Sequence, residues 1–115
     1  MLWRGEVLLD GTPVDFDEEP PRRGNTSTDL ESDALVNGSE YQLLWSSRAV
    51  TWSEQGDPDR DGCGNRLETH GVSAVPIDAR SRICLRTNRG RLVYLKVLGR
   101  DSDGYNAQAT LWNST

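Results

Sequence analysis

Two runs of alternating apolar and polar residues, 82–87 and 91–97, flank a short polar turn that ends in Gly90. This is the pattern of a β-hairpin, with Gly90 free to take the left-handed conformation of a G1 bulge. With Thr87 facing Arg91, the register predicts Leu85 opposite Val93 and Ile83 opposite Leu95, with Val97 on the same face. Arg86 then meets Leu92, Cys84 meets Tyr94 and Arg82 meets Lys96 on the other face. One face is aliphatic and the other mixed. A slip of one residue destroys that sorting, so the register is well specified.

The rest of the chain reads as further short strands between turn signals. Residues 3–9 alternate as a first strand, and Asp10-Gly11 with Pro13 predicts a turn into 14–17, giving a hairpin between the two. Residues 18–28 are polar and proline-containing, which predicts a surface loop. The stretch 29–36 fits one turn of helix or the start of a strand, followed by a turn at Asn37-Gly38. Residues 40–46 predict a strand with Tyr41, Leu43 and Trp45 on one face, and 48–52 a short strand after a Ser-Ser break. Residues 54–68 read as a long polar loop, 71–77 as an edge strand because of Pro76, 99–104 as a charged loop and 105–113 as a last strand with Leu111 or Trp112 inward. Trp3 and Trp112 are expected to pack together if the terminal strands pair. The pattern predicts an all-β domain, a β-sandwich or small barrel of seven or eight short antiparallel strands.

With 115 residues the chain is expected to form a single domain. A net charge of −5 argues against general nucleic-acid binding, which depends on neutralising phosphates. No apolar run is long enough to cross a membrane, so no insertion of this segment is expected. Met1 is followed at once by a strand, which suggests a piece of a larger precursor. Cys63 and Cys84 fit a disulfide, two reduced thiols or half of a metal site. We expect the disulfide: closing the loop between them stabilises a fold by about 3 kcal/mol in the chain-entropy model, and it places the domain in an oxidising compartment.

Three groups of residues are candidates for chemistry. Residues 57–68 match the D-x-D-x-D-G-x5-E pattern of a calcium loop. Ca²⁺ takes six to eight oxygens, which Asp57, Asp59, Asp61, Glu68 and the Cys63 carbonyl are placed to supply, with Gly62 at the sharp turn. Against this stand Gly64 at the eighth position, the lack of flanking amphipathic helices and the single copy of the loop. The bland alternative is a solvated acidic loop held by Cys63. The second group, Arg82, Arg86, Arg89 and Arg91, suits an anionic wall polymer or acidic protein surface, or simply water and the acidic segment 15–19. The third, Trp45 and Trp52, suits a platform for a sugar, although in so small a domain tryptophans belong more often to the core.

Enzyme signatures are scarce. There is no nucleophile elbow, phosphate loop or zinc spacing, and His70 is the sole histidine. Carboxylates such as Asp15 and Asp17 are not marked as an acid–base couple, so a small carboxylate-dependent hydrolase is the remaining enzymatic alternative.

The chain resembles small extracytoplasmic β domains of actinobacteria, found in secreted or membrane-anchored proteins and sometimes after a serine/threonine kinase. Val14-Asp-Phe-Asp17 with Pro20-Pro21, Asp29-Leu30, Trp52 with Pro58 and Cys63, and Ile83-Cys-Leu-Arg-Thr87 with Gly90-Arg91 carry the likeness. The resemblance implies that the two cysteines pair and that the domain lies outside the cytoplasm. It implies no established catalytic activity. From the residues themselves no cofactor is expected other than the Ca²⁺ of the 57–68 motif. The Asp57, Asp59, Asp61 triplet and the tail 99–115 depart from it. The expectation is therefore a non-enzymatic binding or sensor module at the cell envelope, whose partner is a wall polymer, a glycan or a protein. A calcium-stiffened structural module is the alternative.

Overall fold

The computed structural model describes residues 3–9, 14–16, 22–23, 35–37, 43–87, 90–102 and 104–112. Its centre is the hairpin read from the sequence. Strands β7 (Arg82–Arg86) and β8 (Leu92–Asp101) pair with Ile83 opposite Leu95, Leu85 opposite Val93 and Cys84 opposite Tyr94. At the turn the Thr87 N–H donates to the Arg91 carbonyl at 2.9 Å, and the Gly90 N–H to the Thr87 carbonyl at 2.9 Å. Gly90 has φ +88°, a conformation that costs about 1–2 kcal/mol for a residue with a Cβ.

The sheet grows outward from this hairpin. Strand β9 (Gly104–Trp112) pairs with β8, and β1 (Trp3–Leu9) pairs with β9 at the edge. On the other side β7 pairs with β5 (Leu43–Thr51). Strand β4 (Leu35–Asn37) lies end to end with β7 along one side of β5, and β6 (Val72–Pro76) runs along the other. These seven antiparallel strands form a curled half-barrel. A separate pair, β2 (Val14–Asp15) and β3 (Arg22–Arg23), completes the strands among the described residues.

The two faces of the hairpin bury different things. Ile83, Leu85, Val93, Leu95, Ala109 and Leu111 line the aliphatic face, where Phe16 and Val14 pack against them. The mixed face carries Val50, Trp52, Cys84, Leu92 and Tyr94, and helix α1 (Arg60–His70) covers it through Cys63 and Leu67. A disulfide joins Cys63 to Cys84.

Several expectations are corrected. The first strand does not form a hairpin with Val14; it pairs with the last strand, because Trp3, Val7 and Leu9 find the aliphatic face there. Val14–Asp15 pairs instead with Arg22–Arg23, inside the stretch read as loop. Trp3 and Trp112 do not meet, since Trp3 packs on the aliphatic cluster and Trp112 on the mixed one. The Ser-Ser break is absent: β5 runs through Ser46 and Ser47, where its register with β6 shifts and its partner on the other side changes from β4 to β7. Of the face expected over 40–46, Tyr41 lies outside the described residues and Trp45 is 45% exposed, while Leu44 between Leu43 and Trp45 is buried. The stretch 99–104 is largely strand, because β8 reaches Asp101 and β9 begins at Gly104. Of 29–36, Leu35 and Val36 belong to strand β4; residues 29–34 lie outside the described residues, as do Asn88 and Arg89.

The largest correction is α1 itself, in the stretch read as a polar loop. Asp59 is its N-cap, its carboxylate accepting from the Gly62 N–H at 2.7 Å. Of its residues only Cys63 and Leu67, one turn apart, are buried. So narrow a stripe on a helix carrying two glycines leaves almost no periodic signal.

Candidate ligand-binding groove

Side chains on three strands hold α1 in place. Arg48 on β5 closes its C-terminal end, donating from Nε to the Leu67 carbonyl at 2.7 Å and from Nη2 to the Glu68 carbonyl at 3.1 Å. A guanidinium there adds a second donor to the Leu67 carbonyl, which also accepts from the Gly71 N–H at 3.0 Å, supplies one to the Glu68 carbonyl and suits the negative end of the helix dipole. At the other end a Cβ on Gly62 would lie 3.2 Å from the Trp52 ring and 3.1 Å from the Asp59 carboxylate. Gly62 thus fits a helix start packed over Trp52. The indole of Trp52 donates to the Gly56 carbonyl at 3.0 Å.

The segment entering the helix is tied down by charge. Arg82 donates from Nη1 to the Gly56 carbonyl at 2.8 Å and from Nη2 to the Glu54 carbonyl at 2.7 Å. The Tyr94 hydroxyl donates to Asp57 at 2.8 Å, and Lys96 lies 3.7 Å from the same carboxylate oxygen. Burial, and then the Asp57 carboxylate beside it, push the Tyr94 phenol up to about 12.

These anchors leave a groove between α1 and the sheet. One part is a cleft of about 260 Å³ lined by Arg60, Asp61, Asn65, Glu68, Arg86 and Leu92. An adjoining cleft of about 330 Å³ shares Arg60 and Asp61 and is bounded by Asp59 and Trp112. Its sheet side is one row across three strands, Arg86 opposite Leu92 and Leu92 opposite Trp112. The groove offers guanidiniums, carboxylates, a carboxamide and an indole within one surface. Its chemistry is recognition by hydrogen bonds and ring contact.

The sequence candidates distribute unevenly over this arrangement. Asp59, Asp61, Glu68 and Arg86, drawn from two separate motifs, meet along the groove. Trp112, Arg60 and Asn65 are not among the sequence candidates for chemistry; the pairing of Trp112 with Leu92 is the signal that exposes the first. Arg82 braces the loop before α1, and it stands four residues from Arg86 on β7, about 13 Å along the strand. The Arg91 N–H donates to the Thr87 hydroxyl at 2.9 Å, and Arg89 lies outside the described residues. Trp45 and Trp52 do not form a joint platform, because Trp52 is buried under Gly62 while Trp45 is exposed.

The calcium motif does not take the wrapped loop its spacing suggests. Residues from Arg60 onward are helical, which puts Asp61 and Glu68 about 10 Å apart along the axis. Asp59 caps the helix and Asp57 binds Tyr94. The Cys63 carbonyl points along the helix toward residue 67, as helix geometry requires.

The chain matches no family model, no curated protein and no solved structure. Among the described residues no helix is long and apolar enough to cross a membrane.

Proposed function

We propose that this domain is a non-enzymatic binding or sensor module of the cell envelope, working outside the cytoplasm. It uses the groove along α1 to hold a wall polymer, a glycan or a protein surface. The observation that carries the reading is the Cys63–Cys84 disulfide, which sets α1 against the sheet as the groove's wall. Disulfides persist in oxidising compartments, so the same bond supports the location. A groove already assembled by a covalent tie and helix caps binds with little ordering cost, which favours recognition. The resemblance to actinobacterial extracytoplasmic β domains agrees with this setting.

The test combines thiol counting with retention. The protein, never exposed to reductant, is expected to show no free thiol and to retain purified envelope fragments saturably. Retention is expected to drop when Arg60 and Glu68 are both changed to Ala. Two free thiols, or retention indifferent to those changes, would remove the basis for the proposal.

A further inference from the structure

We infer that the groove takes a neutral carbohydrate chain, with the Trp112 indole as the stacking surface for one sugar ring. This inference rests on the binding reading above and names its ligand class. Trp112 is half-buried: one side packs on the cluster beneath α1 while the residue also bounds the larger cleft. A pyranose ring has an apolar face of C–H groups and a rim of hydroxyls. The apolar face suits an indole that is fixed from behind, and the hydroxyls suit planar groups that donate or accept in pairs.

Those groups stand along the groove from Trp112. Arg60 and Asp61 are 3.6 Å apart, presenting a donor fork beside a carboxylate. Both lie in the larger cleft with Trp112 and in the smaller one with Asn65 and Glu68. The helix span from Asp59 to Glu68 is about 13 Å long, room for more than one ring.

Charge decides between ligand classes. The lining sets Arg60 and Arg86 against Asp59, Asp61 and Glu68. Signs so interspersed give a polyanion or polycation repulsion wherever they give it attraction. A neutral polyhydroxyl ligand can use donors and acceptors of both kinds. A protein partner remains an outcome that the experiment separates.

The experiment is affinity gel electrophoresis of the oxidised full chain through neutral polysaccharides (β-glucan, mannan and arabinogalactan), beside retention on envelope fragments with and without periodate oxidation. Retardation by at least one polysaccharide is expected. Trp112→Ala and Arg60→Ala are each expected to weaken it by ten-fold or more, while Trp45→Ala leaves it unchanged. Arg60 is exposed, so its variant reports on the groove even if Trp112→Ala fails to fold. Envelope binding that survives periodate, with no retardation by any polysaccharide, would overturn the carbohydrate inference and leave the binding reading standing. Retardation indifferent to Arg60→Ala would overturn the location. Failure to bind either envelope fragments or polysaccharides would overturn both readings.

Discussion

Cys63 in the first turn of α1 and Cys84 at the middle of β7 are joined with their Cα atoms 5.5 Å apart, both fully buried. The bond does more than close a loop of sequence separation 21. It lends an adhesive contact to a helix that otherwise sinks only Leu67 into the sheet. An isolated helix of 11 residues is below the length that is stable in water. Removing the bond should therefore release α1 before it disturbs the aliphatic side. Cys63→Ser with Cys84→Ser is expected to cost about 3 kcal/mol of stability. In hydrogen exchange, amides of α1 should lose protection while those of β8 and β9 keep most of theirs. Uniform loss across the whole sheet would show that the bond supports the entire fold.

Leu67 discriminates the helix from the polar loop that the sequence suggests. It is fully buried, whereas its neighbour Glu68 is exposed. Leu67→Ala is expected to cost about 2–5 kcal/mol in urea unfolding. Glu68→Ala should stay within about 0.5 kcal/mol. Similar small effects at both positions would contradict the packing of α1.

The two ends of α1 make a paired prediction. Asp59→Ala removes the N-cap hydrogen bond and should cost about 1 kcal/mol. Arg48→Ala removes donors to the Leu67 and Glu68 carbonyls and should cost about 1 kcal/mol as well. The sites lie at opposite ends of the helix without shared partners, so the double variant should be additive within about 0.5 kcal/mol.

Alkaline titration tests the Tyr94–Asp57 contact. The phenol has a folded value of about 12 against an ordinary 10.0, so folding favours its neutral form. The associated stability is intact below about pH 10 and is lost as pH climbs toward 12. Spectroscopic tyrosine titration should show a late component that Tyr94→Phe removes. Asp57→Asn should bring that component down toward the ordinary value without reaching it, because burial, the larger cause, remains.

Calcium offers a test of conformation. To wrap an ion, residues 57–68 would have to unwind α1, release the Asp59 cap and break the Tyr94–Asp57 hydrogen bond. Millimolar Ca²⁺ is therefore expected to leave both Tm and helical circular dichroism unchanged. A rise in Tm with a loss of helical signal would reveal a second, metal-bound conformation of this segment.

What the sequence determined by itself is the hairpin of β7 and β8, down to each cross-strand pair. The reason is local: a two-residue period with one aliphatic face and a turn ending in Gly90 admits only one register. The edge position of Pro76 follows from an equally local rule. The choice between Leu111 and Trp112 as the inward residue of the last strand did not: it waits for the pairing of Leu111 with Val93 on the aliphatic face. The pairing of β1 with β9 was a matter for tertiary structure, because strands at the two ends of a chain carry no mark of their partner. Helix α1 was too. Its two buried residues mean little until Cys84 and the Trp52 ring lie beneath them, and Asp59 and Gly62 read as a calcium loop until a helix begins there. The groove exists only because that helix and the row Arg86, Leu92, Trp112 are brought face to face, and no spacing along the chain encodes that meeting.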